Sequence, residues 1–297
     1  MAAEVADTAG ALALPDDDEE LLALAAIADL PPPGEGLFRD GSWLRKVNAE
    51  PVLLFGGGRA LLLEVAHPLV AAGVAEHSDF RADPFGRLRR TLQAMTTIAF
   101  RDRASALAAA RAVERAHRRV RGRLREDAGR FRAGTPYDGR DPQSMRWVWA
   151  TLVDTALAVY ERFVSRLDPA AREAYYGEQC SLARVLGVPP ELVPSSHADF
   201  QAYFDDMLAG DAIAVTDTAR QIAAAVLETP RGVPGGRLMR LFTAALLPAR
   251  LRAAFGLAYD DEMAGELAGL ARSVRALRRP APGGGRPSSL DASAHRR

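Results

Sequence analysis

One cysteine, one lysine and an aromatic content of 7% set the first limits on this 297-residue chain. Cys180 stands alone, which excludes an internal disulfide and a cysteine-based metal cluster. Lys46 is the only lysine, so arginine carries almost all the positive charge. With the abundant alanine, this marks a GC-rich bacterial coding sequence, a codon effect that says nothing of function. Net charge is also missing. The 38 basic residues balance 38 acidic ones, so bulk attraction to nucleic acid or to an anionic membrane is not implied. Nor are basic residues interleaved with aromatics, as a nucleic-acid surface requires. The start of the chain lacks the basic segment and continuous apolar core of a signal peptide. Its most apolar run, LLALAAIADL at residues 21–30, has about half the length that spans a bilayer. The expectation is a soluble, cytoplasmic protein with no transmembrane segment. Catalytic signatures are scarce. Gly56, Gly57 and Gly58 lack the Lys-Ser/Thr of a phosphate loop, no Gly-x-Ser-x-Gly elbow occurs, and no repeat is visible.

What is present is helix. Sustained alternation of apolar and polar residues, the strand signal, is nearly absent. A hydrophobic fraction of 48% supplies a substantial core. Helices are expected at residues 59–66, ending near Pro68; from Pro84, with Asp83 as N-cap; along the whole of RDRASALAAARAVERAHRRVRGRLRED; from Pro142 and from Pro169, each after an aspartate cap. The Pro169 helix should stop at Gly187. Others follow over HADFQAYFDDML, over residues 211–227, and as two helices within 236–273. The expected fold is all-α, a single multi-helix domain of about eight helices spanning residues 34–277. It is flanked by a mobile acidic tail with one short helix (1–33) and a disordered Pro/Gly/Ser-rich tail (278–297).

The segment RAVERAHRRVRG at residues 111–122 carries the chemistry. Val113, Ala116, His117 and Val120 share one helical face, extended upstream by Ala106, Ala109 and Ala110. His117 falls at the edge of this small-residue stripe, and Arg111, Arg115, Arg118 and Arg119 point away. Spacing alone leaves two readings open: a buried histidine satisfied by a neighbour, or a ligand with space for something bulky beside it. His67, before Pro68, and His77, near a turn, read as structural; His197 reads as capping or exposed. Arg87, Arg90 and Thr91 share a face beside the apolar stripe of Leu88, Leu92, Met95 and Ala99. Two guanidiniums and a hydroxyl there suit an anion, a propionate or a substrate carboxylate, or form a solvated basic edge. Two Glu-x-x-His tetrads, Glu64 to His67 and Glu114 to His117, also admit a carboxylate-bridged di-iron site.

At these residues the sequence resembles the catalytic-domain family of the rubber oxygenases (latex-clearing proteins) and the MpaB oxygenase. The blocks HPLVAAGVAEHSDFRADPFGRLRRTL, VERAHRRVRG, DPQSMRWVWATLVDTALAVYERFV and YYGEQCSLARVLGVPPELVPSSHADFQAYFDDML occur in order over residues 37–210, with a weaker match toward 257. The resemblance implies a globin-like helical core holding haem b. It implies His117 as the iron ligand, and Arg87, Arg90 and Thr91 as the counterparts of an Arg-x-x-Lys-Thr pattern beside the haem. It further implies that O2 attacks a small apolar or unsaturated substrate. On that reading Arg90 or Arg87 meets a propionate, Arg87 and Thr91 face the oxygen, and Glu64 or His67 is the candidate base. One departure stands out: Trp149 occupies a position where many members carry histidine. Two alternatives remain, a ferritin-like di-iron oxygenase and a non-catalytic helical ligand-binding or haem-binding protein.

Overall fold

A computed structural model describes residues 36–78, 84–227 and 236–278, with side chains 84–88 outside the described set. The short N-terminal helix, the Asp83 cap and both expected tails, apart from Arg278, fall outside it. Among the described residues there are twelve α-helices and one two-stranded sheet. These are α1 (Trp43–Asn48), a 3-10 turn (Pro51–Gly56), α2 (Gly57–Val65), α3 (Pro68–His77), α4 (Pro84–Phe100), α5 (Arg103–His117), β1 (Arg121–Arg123) and β2 (Pro136–Asp138). There follow α6 (Pro142–Phe163), α7 (Pro169–Val185), a 3-10 turn (Pro190–Leu192), α8 (His197–Ala209), α9 (Asp217–Leu227), α10 (Gly236–Leu246), α11 (Ala249–Ala254) and α12 (Asp261–Leu277). The all-α, single-domain expectation is met.

Local chemistry starts and stops these helices. The carboxylates of Asp102, Asp141 and Asp168 accept the N–H of the residue three positions on, at 3.0, 2.8 and 2.7 Å. Pro142 and Pro169 sit at the first helical position, where a missing N–H costs nothing. Gly187 ends α7 with φ 88°. Its N–H bonds Arg184 C=O and the Val188 N–H bonds Ala183 C=O, a Schellman pair that needs a left-handed residue.

Three expected boundaries are corrected. The long helix stops at His117 rather than running on toward residue 127. The Val120 N–H turns back to His117 C=O, and residues 121–123 leave as β1, pairing antiparallel with β2 in the register Gly122–Tyr137. Only glycine fits at 122, because a Cβ there would meet the Tyr137 ring at 2.6 Å. The helix expected from 211 begins at Asp217, after residues that bond outward: the Ala214 N–H pairs with Ala66 C=O and Asp211 C=O receives Arg130 N–H. The two helices after 236 are three, since Pro248 breaks the chain between α10 and α11.

The largest apolar cluster joins α2, α6, α7, α8 and α9; a second joins α1, α4, α5 and α7; a third joins α6, α10 and α12. Helix α6 is shared by the first and third and is buried along most of its length. The glycine triplet finds its reason here. A Cβ on Gly56 would lie 2.9 Å from Thr155 and 3.0 Å from Val159, and one on Gly58 would strike the Thr243 hydroxyl. Close approach of neighbouring side chains to the backbone, not phosphate binding, accounts for Gly56 and Gly58. Buried Arg59 then clamps the same junction, donating to Leu246 C=O (2.8 Å), Thr155 Oγ1 (2.6 Å) and Asp154 Oδ2 (2.6 Å).

Among the described residues no single helix is long and apolar enough to cross a membrane. The segments Pro51–Val65 and Pro68–His77 together have the length and composition, but they are bent by 111°.

Gly129 combines a left-handed φ of 54° with a Cβ position that would overlap the backbone carbonyl of Asp211. Gly129→Ala is therefore expected to cost on the order of 1–3 kcal/mol, as overpacking does, measured as a lower urea midpoint with an unchanged slope.

Candidate functional site

A cavity of about 220 Å³ opens between the first 3-10 turn and helices α2, α4, α6 and α7. Four of these elements each turn one face to it. Helix α2 supplies Ala60, Leu61 and Glu64; α4 supplies Thr91, Leu92, Met95, Thr96 and Ala99; α6 supplies Trp149, Leu152, Thr155 and Ala156; α7 supplies Gln179 and Leu182. These spacings follow the helical period, so each set is one side of its helix. The stripe expected on α4 thus becomes a cavity wall.

Trp149 is 1% exposed. Its indole N–H donates to Gln179 C=O at 3.1 Å, and its ring packs on Tyr176 and edge-on to Phe200. The Gln179 amide donates to the Tyr175 hydroxyl at 2.7 Å. Burial pushes the Tyr175 and Tyr176 phenols well above their ordinary range, so both stay protonated. Glu50, at the cavity edge, is held in a bidentate ion pair by Arg278.

His117 lies at the C-terminal end of α5, eleven residues after buried Ala106 and seven after buried Ala110. At 100° per residue it sits within about 20° of both, at the centre of the inner face rather than its edge. Its Nδ1 is buried without a hydrogen-bond partner among the described residues. Desolvation holds its pKa below the usual value, against the opposing pull of Glu114, which leaves the ring neutral. Glu114 turns its carboxylate to Arg118 (3.0 Å). A neutral imidazole is the form that ligates iron, so His117 fits that role chemically, as does the equally neutral His67.

His117 does not line the cavity; Thr91 does. Helix α4 relates the two. It forms a hairpin with α5, closed by residues 101 and 102, while giving six side chains to the cavity, Phe100 among them. Arg87 is 13 residues before Phe100 and His117 is 14 after Arg103 (100 − 87 and 117 − 103), so their backbones stand about 20 Å from the closed end, at one level. The Arg87 side chain lies outside the described residues; Arg90 and Thr91 are exposed.

The di-iron set does not assemble. Among the described residues no three His, Cys, Asp or Glu side chains gather as a metal site. Glu64 lines the cavity, while His67 sits in the break between α2 and α3, its ring 5.1 Å from that of Phe131. His77 donates its Nε2–H to Arg121 C=O, 3.0 Å away, and its ring meets that of Tyr137 edge-on. His197 is not a cap; Ser196 is, and the imidazole is half-buried beside Tyr176 and Phe200. Trp149 stands out in the sequence as a departure from the family pattern near the core, whereas Gln179 does not stand out. Helical spacing from Leu152 and Ala156 could have placed Trp149 on their face, but nothing local marks Gln179.

Burial lowers the pKa of His67 from 6.5 to about 4, with Asp141 opposing the shift and Arg130 adding to it. The unfolded chain therefore binds a proton that the folded chain refuses. The stability this contributes is complete above pH 6.5 and is lost as pH falls toward 4, by about 3 kcal/mol at most. Urea denaturation across that window should show the loss, and His67→Gln should flatten it.

A search of curated proteins and one of solved structures both returned no match. The family model described as the catalytic domain of ER-bound oxygenase mpaB/B′ and rubber oxygenase matches residues 44–279. That span holds the cavity, the α4–α5 hairpin and His117, and the chain belongs to this oxygenase family.

Proposed function

We propose that this oxygenase is haem-dependent, with His117 as the protein ligand to iron. The reading rests on the family match, with His117 inside the matched span and its imidazole held neutral by burial at the end of α5; the buried, unpartnered Nδ1 is a feature His67 shares. A bound haem would supply the iron at which O2 is held and activated. The chain's residues then have separate tasks. His117 gives one neutral nitrogen. Arg90 or Arg87, on one face of α4, would pair with a propionate, or Arg87 would instead serve the oxygen side. Thr91, on the same face and at the cavity edge, offers a hydroxyl donor toward oxygen. The cavity takes the substrate, and its aliphatic walls exclude water and favour a small apolar or unsaturated molecule. Glu64 is the carboxylate on the α2 wall and the candidate to accept a proton.

A second reading, a helical ligand-binding protein without turnover, is favoured by one observation. The cavity wall at 149 presents an indole already committed to Gln179, with no proton to exchange. It calls for ligand binding without O2 consumption.

The test is an absorption spectrum of the purified chain supplied with haem. The expected result is a Soret band that is lost or shifted in His117→Ala and restored when imidazole is added to that variant. A Soret band unchanged by the substitution would sink the ligation, and its absence from the unsubstituted chain would sink haem dependence.

A further inference from the structure

The cavity lining runs from exposed to buried. At its rim stand Leu54 and Leu92, 48% and 43% exposed, which are large apolar side chains left in water. Its most buried lining residues are Trp149, Leu182, Ala99 and Gln179, none more than 4% exposed. Ala60 and Leu61 add to the aliphatic wall. Three of the polar lining groups are engaged, Glu50 by Arg278, Thr155 by Arg59 and Gln179 by Tyr175, while Asn48, Glu64, Thr91 and Thr96 also face the cavity. Exposed leucines at a cavity mouth suit a ligand that arrives apolar end first.

We propose that the cavity receives the aliphatic chain of its ligand over the Leu54–Leu92 rim, and that Trp149 is the specificity-determining floor that sets the chain length admitted. This deepens the substrate side of the function proposed above and does not depend on haem. The floor is rigid for a physical reason. The indole N–H is bonded to Gln179 C=O, and the ring is backed by Tyr176 and Phe200. To swing aside, it would have to leave a buried N–H without a partner and displace two packed rings. A volume of about 220 Å³ exceeds the roughly 150 Å³ of an apolar cavity that admits benzene, so a short chain has room and a long one does not.

The experiment titrates the full-length chain with hexanol, octanol, decanol and dodecanol by calorimetry. Affinity should rise about fourfold per added methylene while the chain is still entering, then level off when it reaches the indole. In Trp149→Leu the levelling point should move to a longer alcohol. In Trp149→Phe it should move the same way by less, and that milder variant carries the comparison if the leucine variant does not fold. No binding, or no levelling in the unsubstituted chain, overturns the proposal, as does an unchanged levelling point in a folded variant. Soret absorbance and O2 consumption of the same samples separate the two ideas. A Trp149-dependent levelling point without a Soret band retains the floor and loses the haem; a Soret band with no levelling point does the reverse.

Discussion

Two indoles on α6 hold the molecule around that helix. Trp147 and Trp149 are two residues apart, so their side chains leave the helix about 200° apart and face different neighbours. Trp147 donates to Leu63 C=O in α2 at 3.0 Å, and Trp149 donates to Gln179 C=O in α7 at 3.1 Å. A buried indole N–H must find an acceptor or incur about 1–3 kcal/mol. Leu63 C=O is available because α2 is ending: the His67 N–H bonds Glu64 C=O instead, ahead of Pro68. The proline break between α2 and α3 and the seating of α6 are therefore linked.

The cavity follows from that seating. With α6 fixed between α2 and α7, the start of α2 must approach α6 backbone to side chain, which Gly56 permits. Arg59 then closes the junction with a charge hydrogen-bonded through each of its three nitrogens. Helix α4 packs on the outer side and leaves a gap lined by its own small and flexible residues, Thr91, Met95 and Ala99.

The α4–α5 hairpin carries the proposed cofactor ligand on a different surface from the cavity lining. Ala106 and Ala110 keep the inner face of α5 close to its neighbours, and His117 continues that line to the point where the helix gives way to β1. Small residues followed by one imidazole are poor helix glue by themselves. Burial of the ring itself, not these alanines two and three turns away, is what keeps His117 neutral.

Much of the helical architecture was determined by the sequence alone. Asp-Pro starts, the Gly187 stop and apolar stripes at helical period are local signals, because caps and helical faces depend on residues within one turn or two. The family resemblance was legible for the same reason, as ordered blocks along the chain. The end of α5 was not legible. Residues 118–127 keep an arginine-rich, helix-compatible composition, and only pairing with Tyr137 and its neighbours turns 121–123 into a strand. Nor did local pattern show that Glu64, Trp149 and Gln179 share a cavity, or that His67 and His117 do not share a metal site. Those are relations between helices distant in sequence. Only tertiary packing decides them, because burial and hydrogen-bond demand are settled by which neighbour arrives, not by the residue itself.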